Sequence, residues 1–408
     1  MPLQIKRNIL YISYDGMTDP LGQSQVIPYL KGLAQKGYVI HLMSYEKPDR
    51  FKKYKQIISK DLMENNIHWI PFNYHKRFSV LATLYDLIIG FCFLLFFIPK
   101  NKIKIIHCRS YIASVLGLRF KKIYGTKFIF DMRGFWADER VEGGLIKKGG
   151  LYNRLKKLEK KFMLNSDATI SLTQTAIKEM NDWPYMKEKH KKTIHHITTC
   201  CNIKAFENSY VQRSRNEFSN DQITFLYIGS IGPWHSYKEI TNFVDAVYHH
   251  LPNSKFKMII NWGIELFEDF IVEKNYDANR FDIGSVPHKE IPKATMDADI
   301  GFFFVPPVYA KIASSPTKMG EMLSAGIPII TGHSIGDVDY LIEENNIGAI
   351  IRKFNNDEFI EKIDYTINLI KNNKEVLSKR CLNVAHDYFS LEKGIEKYNE
   401  IYNTLLNE

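Results

Sequence analysis

Apolar and polar positions alternate between two periods along the chain. Residues 8–16 (NILYISYDG) form an apolar run ending in Asp15-Gly16, which predicts a strand. Residues 24–38 carry apolar side chains at helical spacing up to a stop at Gly37, and 39–46 (VIHLMSYE) predict a second strand. Strands follow at 104–110 (KIIHCRS), 127–131 (KFIFD) and 167–173 (DATISLT), with an amphipathic, lysine-rich helix at 151–161. The polar stretch 208–222 (NSYVQRSRNEFSNDQ) reads as a linker, after which the alternation restarts with TFLYIGS, KEITNFVDAVYHHL and KFKMIIN. Strands alternating with helices in both halves predict an α/β chain of two Rossmann-like domains facing across a cleft. The boundaries fall at 1–205 and 206–384, with the last helix from 385 onward.

Two stretches break the plain pattern. Residues 314–331 (SSPTKMGEMLSAGIPIIT) predict a helix with Ser315 as N-cap and Pro316 at its first position, closed by Ala325-Gly326 and followed by a buried strand. On that helix Met319, Met322 and Leu323 share one face, and Lys318 and Glu321 point off the other. Residues 80–98 (VLATLYDLIIGFCFLLFFI) hold one charge, Asp86. Their length sits at the lower limit for spanning a bilayer. Three readings stand for the segment: a buried or half-buried helix of the sheet, peripheral insertion aided by His75, Lys76, Arg77, Lys100, Lys102 and Lys104, or a true span.

Composition sharpens this picture. The chain has 408 residues, 45% of them apolar, enough for a core in each of two domains. Five cysteines without CxxC spacing suggest neither a disulfide framework nor a zinc site, and fit a reducing cytosol. The first residues show no apolar signal region, so no signal peptide is expected. Residues 1–205 carry 35 Lys and Arg against 16 Asp and Glu, whereas the remainder carries 20 against 29. A basic first half suits an anionic membrane surface or a phosphate-rich substrate, or is simply a solvated lysine-rich surface. No interleaved aromatic and basic platform or helix-turn-helix spacing is present, so nucleic acid is not an expected partner.

Candidate chemistry collects at predicted strand ends, where open α/β sheets bind ligands. Gly22, Gln23 and Ser24 precede the first helix, where backbone N–H groups can approach an anionic or hydroxyl-rich ligand or can serve turn formation alone. Arg109 follows the third strand. After the fourth come Arg133 and Asp138, read either as site residues or as a pair that orders a long loop. No GxGxxG follows the first strand, and Gly229-Ser230 after TFLYI form a tight turn that lets backbone approach a diphosphate.

In their order, YIG, IGSVPHKEIPKATMDADIGFFFV, SPTKMGEMLSAGIPIIT and AHDYFSLEKGIEKYNEIYNTLL resemble glycosyltransferase family 4, retaining enzymes of GT-B fold. ILYISYDGMTDPLGQSQVIPYL and DMRGFWADE resemble its bacterial surface-polysaccharide members, so the resemblance runs over nearly the whole chain. It implies a nucleotide-sugar donor held by the C-terminal domain, an acceptor met by the N-terminal one, no required metal or cofactor, and a last helix, 385–408, that crosses back to the first domain. Of two family glutamates separated by seven residues, Glu321 matches the second and Ala313 stands at the first. The family's arginine-lysine pair falls near Ser230 and Lys238, and its N-domain histidine is replaced by Arg133.

The function these residues suggest is transfer of a hexosyl group from a UDP- or GDP-linked donor to a glycan or lipid-linked acceptor in surface-polysaccharide synthesis, with retention. Arg133, Asp138 and Lys318 are the catalytic candidates; Gly229, Ser230, Ser315, Lys318 and Glu321 are placed on the donor, and Gly22, Gln23, Ser24 and Arg109 on the acceptor side. Lys318 and helix N–H groups would stabilise the leaving phosphate. The expected location is cytoplasmic and peripheral on the inner face of the membrane. Two alternatives are an inactive donor-binding subunit of a glycan-assembly complex, suggested by Ala313 and Ser230, and a nucleotide-sugar epimerase.

Overall fold

A computed structural model describes residues 7–75, 79–187, 194–215, 218, 222–232 and 236–407. Lys76 and Arg77, and residues 216, 217 and 219–221 of the expected linker, lie outside them. The chain divides into two compact units: 1–198 with 391–408, and 199–390. The sequence reading put these divisions at 205/206 and 384/385, seven residues later and six residues earlier.

The first unit is built on a parallel sheet of seven strands: β1 (Arg7–Ser13), β2 (Tyr38–Glu46), β3 (Ile67–Asn73), β4 (Ile105–Arg109), β5 (Lys127–Asp131), β6 (Ala168–Ser171) and β7 (Ile194–His196). Their order is β3-β2-β1-β4-β5-β6-β7. The central strands are apolar nearly throughout, as a sheet covered on both faces requires, and Ile9, Leu10, Ile12, Ile105, Ile106 and Cys108 are buried. The order reverses between β1 and β4, so the connections leaving these neighbours diverge and open a crevice at their carboxyl ends. In register, Ser13 pairs with Arg109, and Arg109 with Asp131, which brings polar strand ends together there.

The last helix, Leu391–Asn407, belongs to this first unit. It packs on the helix Ile27–Gln35, where a Cβ on Gly32 would come within 2.2 Å of Ile395 Cδ1; only glycine permits that approach. Tyr398 and Tyr402 on the same helix are buried, the Tyr402 hydroxyl lying 2.7 Å from His107 Nδ1.

The second unit repeats the plan with β8 (Thr224–Gly229), β9 (Lys255–Ile260), β10 (Phe281–Gly284), β11 (Ile300–Phe303), β12 (Ile329–Gly332) and β13 (Gly348–Ile351), ordered β10-β9-β8-β11-β12-β13 and all parallel. Its reversal lies between β8 and β11. The helix Tyr237–His250 buries Ile240, Phe243, Val244 and Val247, the i, i+3, i+4, i+7 stripe visible in the sequence. The polar stretch read as a linker is structural instead. Its first part forms the helix Glu207–Arg215, and buried Arg213 donates to the carbonyls of Ala298 at 2.6 Å and Ala325 at 2.9 Å. Polarity misled here because one arginine satisfies two carbonyls inside the unit.

The apolar segment forms the helix Ser79–Lys100. Only a narrow stripe of it is covered: Ala82, Asp86, Gly90, Leu94 and Ile98, every fourth residue, face the unit, while Leu81, Leu84, Tyr85, Ile88 and Phe96 are exposed. Asp86, its single charge, is spent inward: it accepts from the Tyr14 hydroxyl at 2.8 Å and lies 2.5 Å from His75 Nδ1.

Candidate active site

In the second unit, the helix Thr317–Ser324 sits over the β8/β11 reversal. Met319, Met322 and Leu323 are fully buried beneath it, and a Cβ on Gly301 would lie 2.3 Å from Met322 Sδ, so the helix rests close against β11. This docking turns Lys318 toward the strand ends. Its Nζ stands 5.1 Å from the Tyr227 ring centroid and 5.6 Å from that of Phe303. A Cβ on Gly229 would come within 2.4 Å of the same nitrogen, and the φ of +156° at that position disfavours other residues. The Tyr227 hydroxyl donates to the Ser230 carbonyl at 2.7 Å and fixes the turn.

Among the described residues, Lys318 makes no hydrogen bond or ion pair; aromatic faces are its neighbours. Burial pulls its pKa down to about 8, opposed by the charge of Glu321. Glu321 is buried and its Oε1 lies 2.9 Å from Nε2 of His288, whose side chain is 60% exposed. That hydrogen bond raises the His288 pKa against the opposing effect of burial. His288 escaped the sequence reading, although the VPHKEIP turn before a short helix was its signal.

The predicted N-cap is displaced by one residue. The helix starts at Thr317 with Pro316 at the cap, and no side chain caps it. Ser315 is instead fastened to the start of the unit, its carbonyl accepting from Thr199 Oγ1 at 2.6 Å and its Oγ lying 3.0 Å from the same atom. Proline explains the shift, because its fixed φ and missing N–H suit the position before the first helical residue equally well.

In the first unit, Gly22, Gln23 and Ser24 are not a loop. They lie in the short helix Pro20–Gln25, where Gln23 and Ser24 side chains bond to the Thr18 and Pro20 carbonyls. The N–H groups of Met17 and Thr18 are taken by the buried Glu46 carboxylate at 2.7 and 3.1 Å, so the turn is tied down internally. The residue that reaches the strand ends is the next one. Gln25 Oε1 accepts from Arg133 Nη2 at 3.1 Å and from Arg109 Nη2 at 3.3 Å, so one amide oxygen draws the two arginines together. Asp138 is engaged with the following helix, accepting from Tyr152 at 2.7 Å and Lys156 at 3.0 Å. It forms no pair with Arg133 among the described residues; Arg133 Nη1 lies 3.7 Å from Asp131 instead.

The sequence matches no protein-family model and none of the curated proteins. Solved structures match over nearly the full length. The chain is similar to sucrose-phosphate synthase from Thermosynechococcus elongatus (13% identity, 98% of this chain and 100% of that one, TM-score 0.71). It is similar also to a glycosyltransferase from Rickettsia africae (16% identity, 98% and 99%, TM-score 0.69). A third is HepE of Anabaena, solved in complex with UDP and glucose (11% identity, 98% and 100%, TM-score 0.69). With two parallel α/β units, the chain therefore has the GT-B fold.

Lys318 makes stability depend on pH with a known sign. Unfolded, a lysine keeps its proton to about pH 10.4, whereas folded Lys318 releases it near about 8. Between those values the unfolded chain binds more protons, so rising pH favours folding at this site. Denaturant titrations should show wild type gaining stability relative to Lys318→Met from about pH 8 to about pH 10. Parallel profiles would contradict a lowered pKa at Lys318.

Proposed function

We propose that the chain is a nucleotide-sugar-dependent glycosyltransferase, carrying a hexosyl group from a UDP- or GDP-linked donor to a glycan or lipid-linked acceptor of bacterial surface polysaccharide, with retention. The observation that carries the reading is the Lys318 ammonium, in no ion pair or hydrogen bond among the described residues and with only the charge of Glu321 acting on it, beside Gly229 and Ser230 at the β8/β11 reversal. A diphosphate suits that ammonium, and the turn after β8 is where backbone N–H groups approach such a ligand. Glu321, one helical turn on, suits the hydroxyls of a ribose. The UDP bound to Anabaena HepE supports the donor class, and the family-4 resemblance supports retention and the polysaccharide role.

In this mechanism, charge developing on the leaving diphosphate is met by Lys318 and by the first N–H groups of the helix Thr317–Ser324, with no metal ion taking part. Ser315 and Ser230 shape the donor side; Arg109, with Gly22, Gln23 and Ser24 behind it, belongs to the acceptor side. Asp138 would act through the Tyr152 and Lys156 network that orders the segment after Arg133.

The exposed face of the helix Ser79–Lys100 supports a peripheral position on an anionic membrane. Phe96 is 78% exposed among other apolar side chains, and exposed Lys100, Lys102 and Lys104 follow the same end of the helix. Such a face buries apolar area in the acyl boundary while the lysines meet lipid phosphates.

Two measurements test these readings. Calorimetry should detect UDP binding, weakened about 10- to 100-fold by Lys318→Met and about tenfold by Glu321→Ala. Unchanged affinity in both would defeat the donor assignment, and donor binding without transfer to membrane-extract acceptors would assign the binding-subunit alternative that Ala313 favours. Co-sedimentation with phosphatidylglycerol vesicles should capture the protein and be lost in the double variant Leu84→Asp, Phe96→Asp; equal capture of both would reject the membrane face.

A further inference from the structure

The first unit holds a second concentration of unmet charge, at the carboxyl ends of β1, β4 and β5. Arg109 is 5% exposed, and the Arg133 side chain is 8% exposed. Arg109 Nε and Nη1 are buried without a hydrogen-bond acceptor, and Asp131 Oδ1 is likewise without a donor. Buried guanidinium groups are costly to leave unmet. The compensation in place is partial. Asp131 is the buried carboxylate; burial alone would raise its pKa, but Arg133 and the neighbouring His107 and Arg109 hold it below the usual range. His107 is pushed toward neutrality by burial. Asp15 stands 3.4 Å from Arg109 Nε, but its side chain is 47% exposed. Two buried cations thus share one buried anion and one amide oxygen.

The backbone is strained to arrange this. Arg133 has φ +60° and Ser110, directly after Arg109, has φ +66°, left-handed values that disfavour a non-glycine residue. Both outliers stand at arginine-bearing strand ends, at the sheet reversal where α/β folds bind ligands.

We infer that this strand-end cluster opens into a pocket for an oxyanion carried by the sugar substrate, a phosphate or a carboxylate held by Arg109 and Arg133, with Asp15 moving outward to admit it. The inference rests on the sugar-transfer reading and narrows its substrates to acidic ones. Guanidinium pairs suit such groups because two N–H bonds match two oxygens in one plane. The shared chemistry has two sources, a phosphate as on a lipid-linked or phosphorylated glycan and a carboxylate as on a uronic acid.

The test uses the full chain with inorganic phosphate, D-glucuronate and neutral D-glucose as probes, read by calorimetry and thermal shift. Wild type should bind phosphate or glucuronate at least tenfold more tightly than glucose, and the preferred anion identifies the source. Gln25→Glu places a carboxylate between the arginines and should raise the melting temperature while weakening the anion at least tenfold. This variant keeps the test open where Arg109→Met would fail to fold. Anion binding equal in wild type and Gln25→Glu, or no anion preference in wild type, overturns the inference. A UDP titration of wild type separates the two readings. UDP binding without anion binding defeats the pocket alone, and anion binding without UDP binding defeats the donor reading.

Discussion

The second unit turns on one ammonium held away from its natural partner. Lys318 is placed by apolar packing, since Met319, Met322 and Leu323 seat its helix on the sheet and leave the lysine above Tyr227 and Phe303. Aromatic faces recover part of the lost hydration, on the order of 1–2 kcal/mol, and the depressed pKa reports the rest. Gly229 lies against the same ammonium, at a φ of +156° that disfavours other residues. Core packing thus fixes where the ammonium stands.

The first unit solves a similar problem with arginines. At the β1/β4 reversal, strand register brings Ser13, Arg109 and Asp131 side by side, and Gln25 gathers the two guanidinium groups. The last helix completes the setting from its own side, Tyr398 approaching Asp131 at 3.3 Å and Tyr402 holding His107. Sheet topology decides where these charges collect in both units; side-chain type decides what they can hold. Lysine offers a point charge suited to a diphosphate, and paired arginines offer a planar fork suited to an oxyanion.

Much of this was legible in the sequence because it follows from periodicity. Continuous apolar runs such as TFLYI announced parallel strands, and the spacing of Met319, Met322 and Leu323 announced a buried helix face. Polar residues that act across long sequence distances were not legible. Gln25 reaches Arg109 and Arg133, His288 reaches Glu321, and Arg213 reaches Ala298 and Ala325, each through a fold no local pattern encodes. Local competition explains the misplaced N-cap, where Ser315 and Pro316 both carry cap signals, and the turn 22–24 read as loop, where Pro20 opens a short helix. The segment 80–98 was legible as a helix, but which face is covered depends on the i, i+4 stripe that Asp86 and Gly90 anchor.

The central claim is that Lys318 awaits a diphosphate. UDP binding should draw its pKa upward, so at about pH 8.5 the protein must take up a proton as UDP enters. Calorimetric titrations in buffers of different ionisation enthalpy measure that uptake directly. The account predicts uptake of a large fraction of one proton by wild type and none by Lys318→Met. UDP binding with no proton uptake in wild type would contradict it.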